Sequence, residues 1–125
     1  MAKRTSEHLE EVVLAVLKET GGRSLSAYEI ADAAPTRITP AQVYRTIERL
    51  AQRRCVKRIE TLNAYVALSA QCAAVSVCTE CEIVQPVSSQ LIGPAVKDAL
   101  AQTDFSPGRT VIEILGLCRH CREVT

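Results

Sequence analysis

Apolar side chains recur along the first fifty residues with helical rather than strand spacing. Leu9, Val12, Val13, Val16 and Leu17 stand at i, i+3, i+4, i+7 and i+8, which predicts one buried face of a helix over residues 6–20; Gly21-Gly22 supplies the stop. The stretch "SAYE" at 26–29 has the form of a capping box, in which the Ser26 hydroxyl and the Glu29 side chain satisfy free amide donors at a helix start. A short helix over about 27–34 follows, ending before Pro35. The segment "TPAQVYRTIERLAQR" repeats the device: Thr39 is the N-cap, Pro40 takes the first helical position where no amide donor is needed, and Gln42 completes the box. Val43, Ile47 and Leu50 form its buried stripe and leave Gln42, Arg45, Glu48 and Arg49 around the rest of the cylinder. "CVKRI" and "AYVAL" then read as two strands joined by the turn "ETLN", so the first part of the chain is helix, helix, helix, hairpin.

After Leu68 the run "SAQ" has linker character and the pattern changes. Strands are expected at about 73–78 and 82–87, a helix near 89–103 whose start is blurred by Gly93-Pro94, and a strand at 109–115. There is no internal repeat and no low-complexity tract. The expected fold is α+β with two small domains, residues 1–68 and 73–125, joined by a linker at 69–72; a chain of 125 residues is long enough for that division.

Composition sharpens this picture in two ways. Hydrophobic residues make up 47% and charged residues 23%, which suits a folded soluble protein, while three Tyr, one Phe and no Trp leave the cores to Val, Ile, Leu and Ala. Such cores are small. No apolar run approaches the ~20 residues needed to cross a bilayer, and "MAKRTSEHLEE" lacks an apolar signal region, so the expected location is the cytoplasm and no membrane partner is expected. Stable disulfides are rare there, and paired cysteines point instead to metal or redox chemistry.

Charge separates the two halves. Residues 1–60 hold eleven Lys and Arg against eight Asp and Glu, and residues 61–125 hold four against six. Six cations lie between Arg45 and Arg58 (Arg45, Arg49, Arg53, Arg54, Lys57 and Arg58) with Glu48 as the one acid among them. Arg45, Arg49 and Arg53 follow one another at i+4 along the third helix, and a helix of that diameter fits the DNA major groove. Taken alone, such a stripe is more often a solvated face. Here it belongs to the third helix of a three-helix unit, a hairpin bearing Lys57 and Arg58 follows it, and Tyr44 adds a ring able to meet a thymine methyl. That is the organisation of a winged helix-turn-helix. The candidate contacts to double-stranded DNA are Thr39, Gln42, Tyr44, Arg45, Arg49, Lys57 and Arg58.

Four of the six cysteines fall into two pairs, "CTEC" at 78–81 and "CRHC" at 118–121. Two Cys-x-x-Cys turns can close a tetrahedron of thiolates around Zn²⁺, provided that strands 73–78 and 109–115 end on the same side of a small sheet. Cys78, Cys81, Cys118 and Cys121 are then the metal ligands of one zinc per chain. A full thiolate set leaves no open position, so the ion is structural and adds folding free energy that a small core lacks. The competing reading is four ordinary buried cysteines or two local disulfides. A thioredoxin-like redox pair is disfavoured because neither CxxC follows a strand and opens a clear helix. His120 reads as a solvated spacer, Cys55 as a packed strand residue, and Cys72 as a tolerated linker thiol that is also the candidate redox or second-site input. No nucleophile–base pair is visible and the zinc site is closed, so no enzyme is expected.

The segments "TPAQVYRTIERL", "RIETLNAYVAL", "VSVCTEC" and "TVIEILGLCRHC" together resemble the ferric uptake regulator family, and within it the zinc uptake regulators, over nearly the whole chain and in the same order. The resemblance implies an N-terminal winged helix, a C-terminal α/β dimerisation domain with a four-cysteine zinc site, and a homodimer that represses from a palindromic operator. By it Tyr44 and Arg45 are DNA contacts and the four paired cysteines zinc ligands. The departures are as informative. Relatives sense metal through a His-rich segment before the first CxxC and a further His in the last strand, whereas this chain has "LSAQCAAVSVC" and Thr110 at those places. Lys57 and Leu68 stand where zinc regulators tend to carry a His and a Cys, and His8 and His120 are the only histidines. The expectation is a regulator that keeps structural zinc with a reduced or lost regulatory metal site. The alternative is a zinc-ribbon module that docks an acidic protein and does not bind DNA.

Overall fold

A computed structural model describes residues 6–68 and 74–124. The chain divides into two compact units, Met1–Ala70 and Gln71–Thr125.

The first unit contains helices α1 (Ser6–Lys18), α2 (Ala27–Ala33) and α3 (Pro40–Gln52), then strands β1 (Val56–Ile59) and β2 (Ala64–Ala67). Gly21 and Gly22 both take positive φ, +67° and +102°, and end the path out of α1 with a conformation that side chains with a Cβ resist. Both capping boxes form. The Glu29 amide donates to Ser26 Oγ at 3.1 Å while the Ser26 amide donates to Glu29 Oε1 at 2.9 Å. At α3 the Gln42 amide donates to Thr39 Oγ1 at 3.2 Å and the Thr39 amide to Gln42 Oε1 at 2.9 Å. Each satisfied donor fixes where its helix begins. Val13 and Leu17 of α1, Ile30 of α2, Val43, Ile47 and Leu50 of α3 and Val56 of β1 close into one core, each burial being worth about 1.5–3 kcal/mol. β1 and β2 pair antiparallel, Val56 opposite Ala67 and Ile59 opposite Ala64. Leu25 joins the hairpin through two backbone hydrogen bonds with Tyr65, of 3.0 and 2.8 Å.

The second unit contains β3 (Ala74–Cys78), β4 (Val84–Val87), α4 (Ser89–Leu100), β5 (Ile112–Gly116) and α5 (Arg119–Val124). The sheet order is β4-β3-β5, with β3 antiparallel to β4 and parallel to β5. The central strand holds the core: Ala74, Val75, Val77 and Cys78 are buried, together with Val84 of β4. Glu82 adopts a positive φ of +64° and turns the chain back, so β4 begins at Val84 rather than at 82. Pro94 lies inside α4 and not at its start; the preceding Gly93 has no Cβ to clash with the proline ring. α5 was not expected from the sequence. No described helix is long and apolar enough to cross a membrane.

Candidate metal centre and nucleic-acid interface

The parallel pairing of β3 and β5 decides where the two cysteine pairs meet. Cys78, the last residue of β3, stands opposite Gly116, the last residue of β5, so both strands deliver their CxxC turns to the same end of the sheet. The Thr79 amide donates to the Gly116 carbonyl at 2.9 Å, which ties the two turns together. Within the first turn the Glu82 amide donates to the Cys78 carbonyl at 3.0 Å. In the second the Arg122 amide donates to the Cys118 carbonyl at 2.9 Å and the Cys121 amide to Cys118 Sγ at 3.5 Å. The four sulfurs of Cys78, Cys81, Cys118 and Cys121 lie within 4.8 Å of one another, with Cys81 Sγ 3.8 Å from Cys118 Sγ. A regular tetrahedron with Zn–S bonds of about 2.3 Å requires sulfurs about 3.8 Å apart.

The electrostatics of the group also ask for a cation. Backbone amides of Cys81 and then Cys118 donate toward the Cys78 sulfur and lower its pKa to about 6. Cys121 is pushed up to about 12, first by its hydrogen bond with the Cys118 thiol and then by burial. At Cys81 the Ile83 amide pulls downward, but burial and the neighbouring thiols outweigh it and the pKa is raised. Four such thiols cannot all ionise side by side without positive charge between them, and a divalent ion supplies it. The donor set therefore fits a metal. Among the described residues it is the one group of three or more ligating side chains that come together.

The second CxxC does follow a strand, β5, and does open a helix, α5, contrary to the sequence expectation. Neither pair stands alone, however, since the other pair's sulfurs complete its surroundings. His120 is exposed and Cys55 is half-buried against the core of the first unit. Cys72 lies outside the described residues.

In the first unit α3 buries Val43, Thr46, Ile47 and Leu50 and exposes Tyr44, Arg45 and Glu48. Tyr44 meets the buried Tyr65 of β2 edge to face, with ring centroids 6.5 Å apart and planes at 77°; burial, and then Tyr44, raise the Tyr65 pKa above its ordinary value. Of the other residues singled out in the sequence, several already have partners. Thr39 Oγ1 and Gln42 Oε1 are taken up by the cap of α3. Arg49 Nε donates to Glu10 Oε2 at 3.1 Å and its Nη2 to Thr46 Oγ1 at 3.3 Å. Arg53 pairs with the other oxygen of Glu10. Arg58 pairs with Glu60 and donates through Nη2 to Asn63 Oδ1 at 2.8 Å, clamping the hairpin turn. The side chains of Arg45, Arg54 and Lys57 have no partner among the described residues. Glu10 itself was missed by sequence reasoning, although it lies three residues before Val13 and seven before Leu17, on the edge of the same helical face.

No protein-family model matches the chain. The zinc uptake regulation protein of Escherichia coli (strain K12) is 27% identical over 128 residues, an overlap of 96% of this chain and 73% of that protein, and its counterpart in Shigella flexneri matches equally. A zinc uptake regulator solved in complex with zinc and DNA superposes with a TM-score of 0.79 at 27% identity, covering 98% of this chain and 85% of that one. The chain resembles the ferric and zinc uptake regulators (Fur/Zur) in both sequence and fold. Holo XcZur shares the same Fur/Zur fold, with a TM-score of 0.80 at 22% identity over 92% of this chain and 84% of its own. The Fur/Zur proteins it resembles are regulators, not enzymes.

Proposed function

We propose that the chain is a sequence-specific transcriptional regulator, a repressor that binds a palindromic operator in double-stranded DNA as a homodimer. Residues 1–68 form the winged-helix DNA-binding domain, 69–72 the linker, and 73–125 the dimerisation domain with one structural Zn²⁺ per chain held by Cys78, Cys81, Cys118 and Cys121. The observation that carries this reading is the free face of α3, where Tyr44 and Arg45 are exposed and unburdened by ion pairs, and Tyr44 is braced edge to face by Tyr65 of the wing. In this reading α3 enters the major groove, Tyr44 and Arg45 meet base edges, Lys57 on the wing meets phosphate, and Thr39, Gln42, Arg49 and Arg58 hold the reading surface in position. The likeness to a regulator solved with zinc and DNA supports both partners.

Dimerisation is supported by the second unit. β5 is an edge strand, and Ile114 and Leu115 on it and Leu117 just beyond it are exposed; none of the described α4 side chains is buried. A partner copy would cover these surfaces and place two reading helices about 34 Å apart along DNA. The reduced sensing site is supported by the scarcity of nitrogen ligands: His8 and His120 are the only histidines of the chain.

The test is binding to a duplex selected from random sequence, measured across salt concentrations. Binding that weakens with salt and falls about 5- to 150-fold in Arg45→Ala is expected, since a well-placed base contact is worth about 1–3 kcal/mol. Affinity indifferent to both would favour the protein-docking module instead. Zinc beyond one ion per chain is expected to leave operator affinity unchanged.

A further inference from the structure

Glu10 has no part in the reading above, yet among the described residues it is the one buried charged side chain, 5% exposed. A buried carboxylate is costly unless it is paired and hydrogen-bonded. Here each oxygen has its own guanidinium: Oε2 takes Arg49 and Oε1 takes Arg53. Arg49 lies in the last turn of α3, the helix that also carries Tyr44 and Arg45, and Arg53 is the residue that caps its C-terminal end. A carboxylate reaching from α1 to two arginines at the C-terminal end of α3 presents what a DNA phosphate would present, two anionic oxygens for two forks. Of the six cations between Arg45 and Arg58, those two and the Glu60-bound Arg58 are therefore already engaged by the protein.

Phosphate contacts raise affinity for any sequence, whereas base contacts distinguish one sequence from another. Withholding two arginines from the backbone thus costs non-specific binding and spares the Tyr44–Arg45 readout. We infer that Glu10 is a positioning residue that sets specificity: its carboxylate keeps Arg49 and Arg53 off the DNA backbone and fixes the orientation of α3 against α1. This rests on the DNA-binding reading of α3.

The experiment measures affinity for a random-sequence duplex and for the selected operator as a function of salt, in the full-length zinc-loaded protein, with circular dichroism to establish folding. In Glu10→Gln the slope of log affinity against log salt on random DNA is expected to steepen by about one to two, from about 0.9 for each phosphate newly contacted, and the ratio of operator to random affinity to fall several-fold. An unchanged slope in the folded variant overturns the inference. Arg53→Gln, altered at the more exposed of the two arginines, is expected to keep the wild-type slope. A slope shallower by about one would mean that Arg53 touches phosphate, which overturns the inference even if Glu10→Gln does not fold. A wild-type protein without salt-dependent binding would remove the reading of α3 and this inference together, whereas salt-dependent wild-type binding with an unmoved Glu10→Gln slope removes this inference alone.

Discussion

Removing the metal should unfold the second unit and leave the first intact. The buried apolar side chains of the described second unit are Ala74, Val75, Val77 and Val84, with Cys78 beside them, a core without a single Leu, Ile or aromatic ring. A structural zinc held by thiolates contributes about 10–16 kcal/mol to the folding of small domains, and a whole domain is stable by only about 5–15 kcal/mol. Loss of the ion therefore removes a quantity as large as the unit's entire stability. The first unit has its own core of Val13, Leu17, Ile30, Val43 and Ile47 and no share in the sulfur cluster. The assay is amide hydrogen exchange before and after treatment with a high-affinity chelator, with metal content followed by elemental analysis. Amides of β3 are expected to lose their protection while those of α2 and α3 keep theirs, and Cys121→Ser should behave as the chelated protein does. Protected β3 amides in protein proven free of metal would refute the reasoning.

Three further outcomes are expected. Thr39→Ala removes the acceptor for the Gln42 amide and should lower the stability of the first unit by about 1 kcal/mol, read from urea denaturation. Ile30→Ala opens a cavity at a side chain with no solvent exposure and should cost about 2–5 kcal/mol by the same measurement. Leu115→Glu places a charge on the exposed edge strand and should shift sedimentation from dimer toward monomer, with zinc content unchanged.

The three helices, the hairpin and the cysteine quartet were legible because each is written in local terms: apolar spacing, two capping boxes, and paired thiols at fixed intervals. The meeting of the two pairs was legible as a condition, that strands 73–78 and 109–115 end together, and the parallel register of Cys78 with Gly116 meets it. α5 was not legible, since its six residues carry no apolar period and bury nothing. The fate of the cationic stripe was hidden for a different reason. Arg45, Arg49 and Arg53 are alike in sequence, and only the packing of α1 against α3 brings Glu10 to two of them and leaves the third free.

The Tyr44–Tyr65 contact and the backbone pairing of Leu25 with Tyr65 join α3, the β1–β2 hairpin and the entrance to α2, the surface proposed to read DNA, into one stiff body. Little freedom is then left for these segments to surrender on meeting a duplex. Association of this kind is expected to proceed as rigid docking, with a small ordering penalty and affinity set by how well the preformed surface matches the groove.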